Sequence, residues 1–178
     1  MPSNLPEIVF LDLEASSLAA DSWPIEIGVT WIDETGELVT WSSLIRPHET
    51  WPATAGSHES EAVHGIPRAG LAHAPAAEDV ALEVQFVIDG RLMISDAPAF
   101  DTRWLDGLLA TAGLARETPV LDFDTAAMRS FQGDTLDALY TSLTRRRAPH
   151  RAGLDSRRLA RAWWRGTVAA PVDEPGRR

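Results

Sequence analysis

Residues 8–18 read Ile-Val-Phe-Leu-Asp-Leu-Glu-Ala-Ser-Ser-Leu, an apolar run that closes on two carboxylates, Asp12 and Glu14. Side chains alternate across a strand, so Ile8, Phe10, Asp12 and Glu14 share one face while Val9, Leu11 and Leu13 share the other. Both faces are apolar at the start, which predicts a central strand covered on both sides. Two like charges at the end of such a strand repel one another and lose hydration, so they require a compensating cation. An all-oxygen ligand set with room for water suits Mg²⁺ or Mn²⁺, and open α/β sheets place their sites at strand ends. A strand end at which both acids simply meet water is the other reading open at this point.

Moving outward, residues 7–14, 25–33 and 37–46 carry strand patterns, the last two separated by the turn Asp33-Glu34-Thr35-Gly36, which predicts an antiparallel meander. A loop rich in Gly, His and Pro follows over 47–75. Segments 76–89, 101–113, 134–145 and 153–165 have helical spacing, for example Ala81, Val84 and Ile88, or Leu136, Leu139 and Leu143. Leu92-Met93-Ile94 and Val120-Leu121 are short apolar runs between helices, expected as buried parallel strands. The order predicts an α/β domain with a mixed sheet flanked by helices. One domain is expected over 1–166, with a disordered tail from Thr167 to residue 178.

No apolar run approaches the roughly 18 residues a membrane span needs, and the N-terminus lacks a secretory pattern. A soluble, cytoplasmic protein with no membrane partner is expected. The absence of cysteine excludes disulfides and cysteinyl metal sites. Lysine is also absent, a pattern that codon bias in a GC-rich genome explains. The net charge of −10 argues against a polyanionic partner taken whole. Yet residues 1–140 hold 6 arginines against 23 acids, and residues 141–178 hold 10 arginines against 3. The basic end is either a phosphate-facing surface or a solvated helix face.

Two further stretches bear on the acidic strand. Asp101 follows Phe100 where a helix is expected to begin, directly after the strand 92–94, and an ordinary helix cap would also place an aspartate there. His150 precedes Asp155 by five residues at the start of the last expected helix. Taken together, these segments resemble the DEDD-type 3′→5′ exonucleases in the variant with a catalytic histidine, a group that includes proofreading subunits and ribonuclease T. Asp12, Glu14 and Leu18 match its first motif, Phe100 and Asp101 its second, and His150 and Asp155 its third. The stretches His64-Gly65-Ile66 and Thr135 to Tyr140 are further landmarks.

The resemblance implies a ribonuclease H-like fold with a mixed five-stranded sheet. It implies that Asp12, Glu14, Asp101 and Asp155 bind two divalent cations, Mg²⁺ or Mn²⁺, that clamp a scissile phosphate. His150 is then the general base that takes a proton from the attacking water. Ser16, Leu18, His64, Ile66 and Phe100 become the substrate-binding residues. The expected partner is single-stranded or 3′-end DNA or RNA, the product is a nucleoside 5′-monophosphate, and a homodimer is an expectation drawn from relatives. The arginines at 145–147, 151, 157 and 158 lie beside the third motif, which favours the phosphate-facing reading.

Departures from the pattern are local. Ser16 keeps a hydroxyl where threonine is usual, Ser17 replaces glycine, and Asp96-Ala97 replaces a His-Asn pair. Asp96 adds a charge whose role the sequence does not define. Trp23, Trp31, Trp41 and Trp51 are expected to pack in the core and on the sheet rather than to stack on bases. Trp163 and Trp164 end the last helix. The alternatives are a catalytically quiet nucleic-acid-binding or accessory subunit with the same fold, and a structural interaction domain.

Overall fold

The computed structural model describes residues 8–145 and 148–169. The apolar run becomes β1 (Ile8–Ala15), the middle strand of a five-stranded sheet in the order β3-β2-β1-β4-β5. β2 (Pro24–Ile32) and β3 (Leu38–Leu44) continue it as an antiparallel meander, with Phe10 opposite Thr30. β4 (Leu92–Ser95) and β5 (Val120–Asp122) add on the other side in parallel, with Phe10 beside Ile94. The mixed α/β sheet expected from the sequence is therefore the sheet observed.

β1 is covered on both faces, as its pattern requires. Val9, Leu11 and Leu13 pack against Val80, Ala81 and Val84 of α2 (Ala77–Ile88) and Leu105, Leu108 and Leu109 of α3 (Pro98–Thr111). Phe10 on the opposite face meets Phe123, Leu139, Leu159 and Trp163. Its ring lies 5.6 Å from that of Trp163, a contact in the range where tilted aromatic pairs attract. Trp163 is thus core, while Trp164 lies against Gly36 in the β2–β3 turn, where a Cβ would come within 2.8 Å of the indole. Trp23 is buried with Ile25, Ile66 and Leu71, and Trp31, Trp41 and Trp51 pack half-buried, so none of the four is a free stacking platform.

The structure corrects several boundaries. The loop 47–75 contains a helix, α1 (His58–His64), and a 3₁₀ segment, Arg68–His73. α1 has no apolar stripe to betray it; the Ser57 hydroxyl caps its start and Gly65, at φ 67°, ends it. A further helix, α4 (Phe123–Ser130), follows β5 without a loop, started by Asp122 accepting from the Thr125 N–H at 2.8 Å. α3 begins at Pro98, a residue suited to a first turn, so Asp101 lies inside that turn rather than at the start of the helix. α5 is Asp134–Thr144, and α6 runs Ala152–Val168, so Thr167 and Val168 are helical rather than part of a tail. Ala169 caps the helix, and the rest of the expected tail, 170–178, lies outside the described residues, as do Arg146 and Arg147. Among the described residues no helix is long and apolar enough to cross a membrane.

α6 crosses the sheet at backbone contact. A Cβ on Gly28 would lie 2.2 Å from the carbonyl carbon of Ala152, and one on Gly153 would lie 2.9 Å from Ser42. Only glycine permits that approach. The hydroxyls of Thr30 and Ser156 seal it at 3.0 Å. The start of α6 is thereby carried to the carboxyl end of β1.

Candidate active site

The carboxyl ends of parallel β1 and β4 open into a cavity of about 550 Å³. Asp12 and Glu14 project from β1, Asp101 from the first turn of α3 and Asp155 from the first turn of α6. Ligand oxygens of Asp12, Glu14 and Asp155 all lie within 4.8 Å of one another. Asp101, 1% exposed, stands beside them but is tied back. Its Oδ1 accepts from the Leu13 N–H at 3.2 Å and its Oδ2 accepts from the Ser95 hydroxyl. Asp155 is held in the same manner, its Oδ2 accepting from the Arg151 N–H at 3.1 Å and its Oδ1 from the Arg158 guanidinium at 3.3 Å.

Concentrating acids in a buried place shifts their protonation. Burial, then the charges of Asp101, Glu14, Asp155 and Asp96, hold the Asp12 carboxyl well above the ordinary range. Glu14 is pushed up to about 7, chiefly by burial and then by Asp155 and Glu26, against the pull of Arg151. Asp101 is also pushed up to about 7 by burial, with Asp96 adding to it and the Ser95 and Leu13 hydrogen bonds opposing. These are the environments expected of carboxylates that await a cation. One observation tests that fit independently: Asp12 Oδ2 is buried with no hydrogen-bond partner among the described residues. An orphaned carboxylate oxygen in an all-oxygen donor set fits a hard divalent cation, which supplies the missing partner.

The cavity gathers most of the expected site residues. His150 lines it with Asp12, Glu14, Asp101, Asp155, Leu18, His64 and Phe100. His150 sits two residues before α6 at φ 53°, a left-handed backbone that histidine adopts more readily than bulky residues do. Leu18 is 69% exposed at the rim, and Phe100 faces it from a tilted pair with Trp104, ring centres 5.4 Å apart. His64 is buried; its Nδ1 accepts from the Ile66 N–H at 3.0 Å, so the neutral ring carries its hydrogen on Nε2. Burial also lowers the pKa of His64.

Ser16 and Ile66 fall elsewhere. Both line an adjoining pocket of about 170 Å³ rather than the acidic cavity. The Ser16 hydroxyl donates to the Ala55 carbonyl at 2.9 Å and accepts from the Trp23 N–H at 3.2 Å, which fixes the loop after β1. Ile66 belongs to the third apolar cluster.

Two positioning groups, Glu26 and Ser95, escaped the sequence reading, and a third, Arg158, was expected on a phosphate-facing surface rather than against Asp155. Glu26, opposite Glu14 across the β1–β2 ladder, is 5% exposed. It accepts from the Arg151 guanidinium at 2.7 Å and from the Ala152 N–H at 2.9 Å, tying down the start of α6. A glutamate inside the apolar strand Pro-Ile-Glu-Ile was the available signal. Ser95 orients Asp101, and its position at the end of β4 was the cue. Arg158 bridges Asp155 to Asp96 with a 3.0 Å contact to the latter, which gives Asp96 its role.

A mixed five-stranded sheet with carboxylates gathered at the ends of its parallel strands defines a ribonuclease H-like α/β protein with an acidic, cation-ready site. The chain belongs to the exonuclease family: the RNase T exonuclease family model matches residues 9–163. No curated protein matches the chain in sequence. Among solved structures, a zinc-bound complex of Escherichia coli exonuclease I with single-stranded DNA superposes with a TM-score of 0.68 at 10% identity, over 93% of this chain and 41% of that one. Exonuclease X in complex with 5′ overhanging duplex DNA gives 0.62 at 20% identity, covering 93% of each chain. A 3′-exonuclease whose structure shows 3′-end recognition of a histone mRNA stem-loop gives 0.69 at 16% identity, over 94% of this chain and 84% of that one. At these identities the likeness is one of fold, and this chain spans about two fifths of the length of exonuclease I.

Proposed function

We propose that the protein is a metal-dependent 3′→5′ exonuclease that hydrolyses the terminal phosphodiester bond at the 3′ end of DNA or RNA and releases nucleoside 5′-monophosphates. The observation that carries this reading is the convergence of Asp12, Glu14 and Asp155, with an unpartnered Asp12 oxygen, in a chain of the exonuclease family. Asp12, Glu14, Asp101 and Asp155 would hold two divalent cations, Mg²⁺ or Mn²⁺. When bound, such ions polarise the phosphoryl group, acidify the attacking water and stabilise charge on the leaving oxygen.

The remaining work falls to the chain. His150 faces the acidic cavity, and histidine is the side chain whose charge changes nearest neutral pH. Its neutral imidazole takes a proton from the attacking water and releases it to solvent. As the water oxygen bonds to phosphorus, the bond to the preceding 3′ oxygen breaks, and that oxygen takes up a proton from solvent and leaves as the new 3′ hydroxyl. Leu18 and Phe100 bracket the terminal base at the rim. The Nε2–H of His64 donates to the terminal nucleotide from the cavity floor. Arg158 and Glu26 are positioning residues, holding Asp155 and the start of α6.

Relatives of this fold are solved with single-stranded DNA, with overhanging duplex DNA and on an RNA stem-loop, which supports nucleic acid as the substrate class for this chain. The direct test uses 5′-labelled DNA and RNA oligonucleotides with Mg²⁺, Mn²⁺ or EDTA. Shortening from the 3′ end that needs metal and disappears in Asp12→Ala and His150→Ala supports the reading. Intact oligonucleotides after incubation with folded wild type and metal reject it. Self-association, proposed from the family resemblance, is rejected by a monomer in light scattering.

A further inference from the structure

A second concave feature lies outside the acidic cavity. Between α5 and the outer face of α6 runs a groove of about 990 Å³. Thr141 and Ser142 form the α5 wall, Arg157, Arg158, Arg161 and Arg165 form the α6 wall, and none of the described lining residues is acidic. Arg157, Arg161 and Arg165 recur every four residues, which places them in one stripe along the helix. In a chain of net charge −10 this is a local reversal of sign.

The groove is joined to the acidic site. Arg158 lines both cavities, and its guanidinium contacts Asp155 on one side and Asp96 on the other. Arg157 is held by neutral acceptors, the Leu38 carbonyl at 2.6 Å and the Thr40 hydroxyl at 3.2 Å, so fixing it does not cancel its charge. From Arg158 to Arg165 the helix rises about 11 Å. A polyanion with one end in the acidic cavity therefore meets a row of guanidinium and hydroxyl groups beside it, of which Arg157 and Arg158 are held in place.

We infer that this groove carries the phosphodiester backbone of the substrate strand upstream of its 3′ end. Arg161 and Arg165 contact phosphates directly, with Thr141 and Ser142 as additional donors. Guanidinium groups in a concave track bind a strand through its phosphates without reading sequence. A flat anionic membrane would not enter the groove, and an acidic peptide has no reason to place its end in a ring of carboxylates. The inference rests on the exonuclease reading for the position of the 3′ end, whereas occupancy of the groove is measurable without catalysis.

The experiment compares the full chain with Arg161→Ala/Arg165→Ala. Fluorescence anisotropy in EDTA follows binding of a 20-nucleotide single-stranded DNA across a salt series. Hydrolysis of the p-nitrophenyl ester of thymidine 5′-monophosphate with Mg²⁺ reports the acidic site alone. The expected result is roughly tenfold weaker 20-mer binding in the variant and a log–log salt slope smaller by about 1.4, two phosphate contacts at about 0.7 each. Ester hydrolysis, whose substrate has no upstream phosphate, stays at the wild-type rate.

Unchanged 20-mer affinity and slope in the variant overturn the inference. So does tighter binding of decaglutamate or phosphatidylserine vesicles than of the 20-mer. A wild type that never cleaves the ester refutes the catalytic reading instead, and leaves the anisotropy to judge the groove. If the double variant melts early, the exposed Arg165→Gln is scored for half the slope change.

Discussion

Replacing Asp12 with asparagine removes one charge from a cluster whose oxygens lie within 4.8 Å of one another. At an effective dielectric near 20, two unit charges at that separation repel by about 3.5 kcal/mol, and Asp12 faces both Glu14 and Asp155. Proton uptake limits this cost, because the Asp12 carboxyl is itself held well above the ordinary range and Glu14 and Asp101 are pushed up to about 7. Solvent at half-exposed Glu14 screens it further. The metal-free Asp12→Asn protein should therefore gain on the order of 1–2 kcal/mol over wild type at pH 8. For a chain of this length that is a rise of about 2–8 °C in Tm. The sign is opposite to that of most buried substitutions. Calorimetry in EDTA, repeated with Mg²⁺, reads both halves of the argument. Wild type gains stability from Mg²⁺ by mass action, and the variant, lacking the central ligand, gains little. A variant less stable than wild type in EDTA, or stabilised by Mg²⁺ as much as wild type, refutes the reasoning.

Glu14 and Asp101 have folded pKa values of about 7 against ordinary values of 4.5 and 3.8, so without metal the protonated fold is the favoured one. Melting in EDTA should show stability falling as pH rises from about 4 to 7, while the increment from Mg²⁺ grows over the same range; a flat EDTA profile contradicts this. Glu26→Gln removes a charge that raises the Glu14 pKa and leaves Arg151, which lowers it. The stability–pH profile in EDTA should shift to lower pH, and urea denaturation should show a loss of about 1–2 kcal/mol from weakening the Arg151 contact. Gly28→Ala drives a Cβ into the Ala152 backbone, 2.2 Å away. It should cost about 3 kcal/mol or more and lower kcat by displacing Asp155; a loss under about 0.5 kcal/mol would mean that α6 does not need this approach. Leu18→Ala should leave stability within about 0.5 kcal/mol, because the side chain is 69% exposed, and raise KM severalfold in oligonucleotide kinetics.

Residues 8–14 determined a great deal by themselves. Their alternation dictated a strand with two apolar faces, and a strand apolar on both faces has no stable place except the middle of a covered sheet. The meander, the two parallel strands and four of the helices follow from periods of 2 and 3.6 written in the chain. The helices missed at 58–64 and 123–130 are short: the first has no apolar stripe and is held by a Ser57 cap and a Gly65 stop, and the second, eight residues long, starts on an Asp122 cap directly from β5. About two turns are too few for a helical period to stand out from the strand that runs into it.

Tertiary structure decided the geometry of the site. Asp12 and Glu14 announce themselves as neighbours, but Asp155, 141 positions beyond Glu14, joins them only because Gly28 and Gly153 let α6 lie on the sheet backbone. Ser16 and Ile66 neighbour site residues in sequence and yet turn into an adjoining pocket, because their hydrogen bonds and apolar contacts hold the loop. Asp96 had no readable role until Arg158 arrived from α6 to meet it. Local sequence writes strand and helix through spacing, whereas the orientation of a carboxylate depends on partners that only close packing of distant segments supplies.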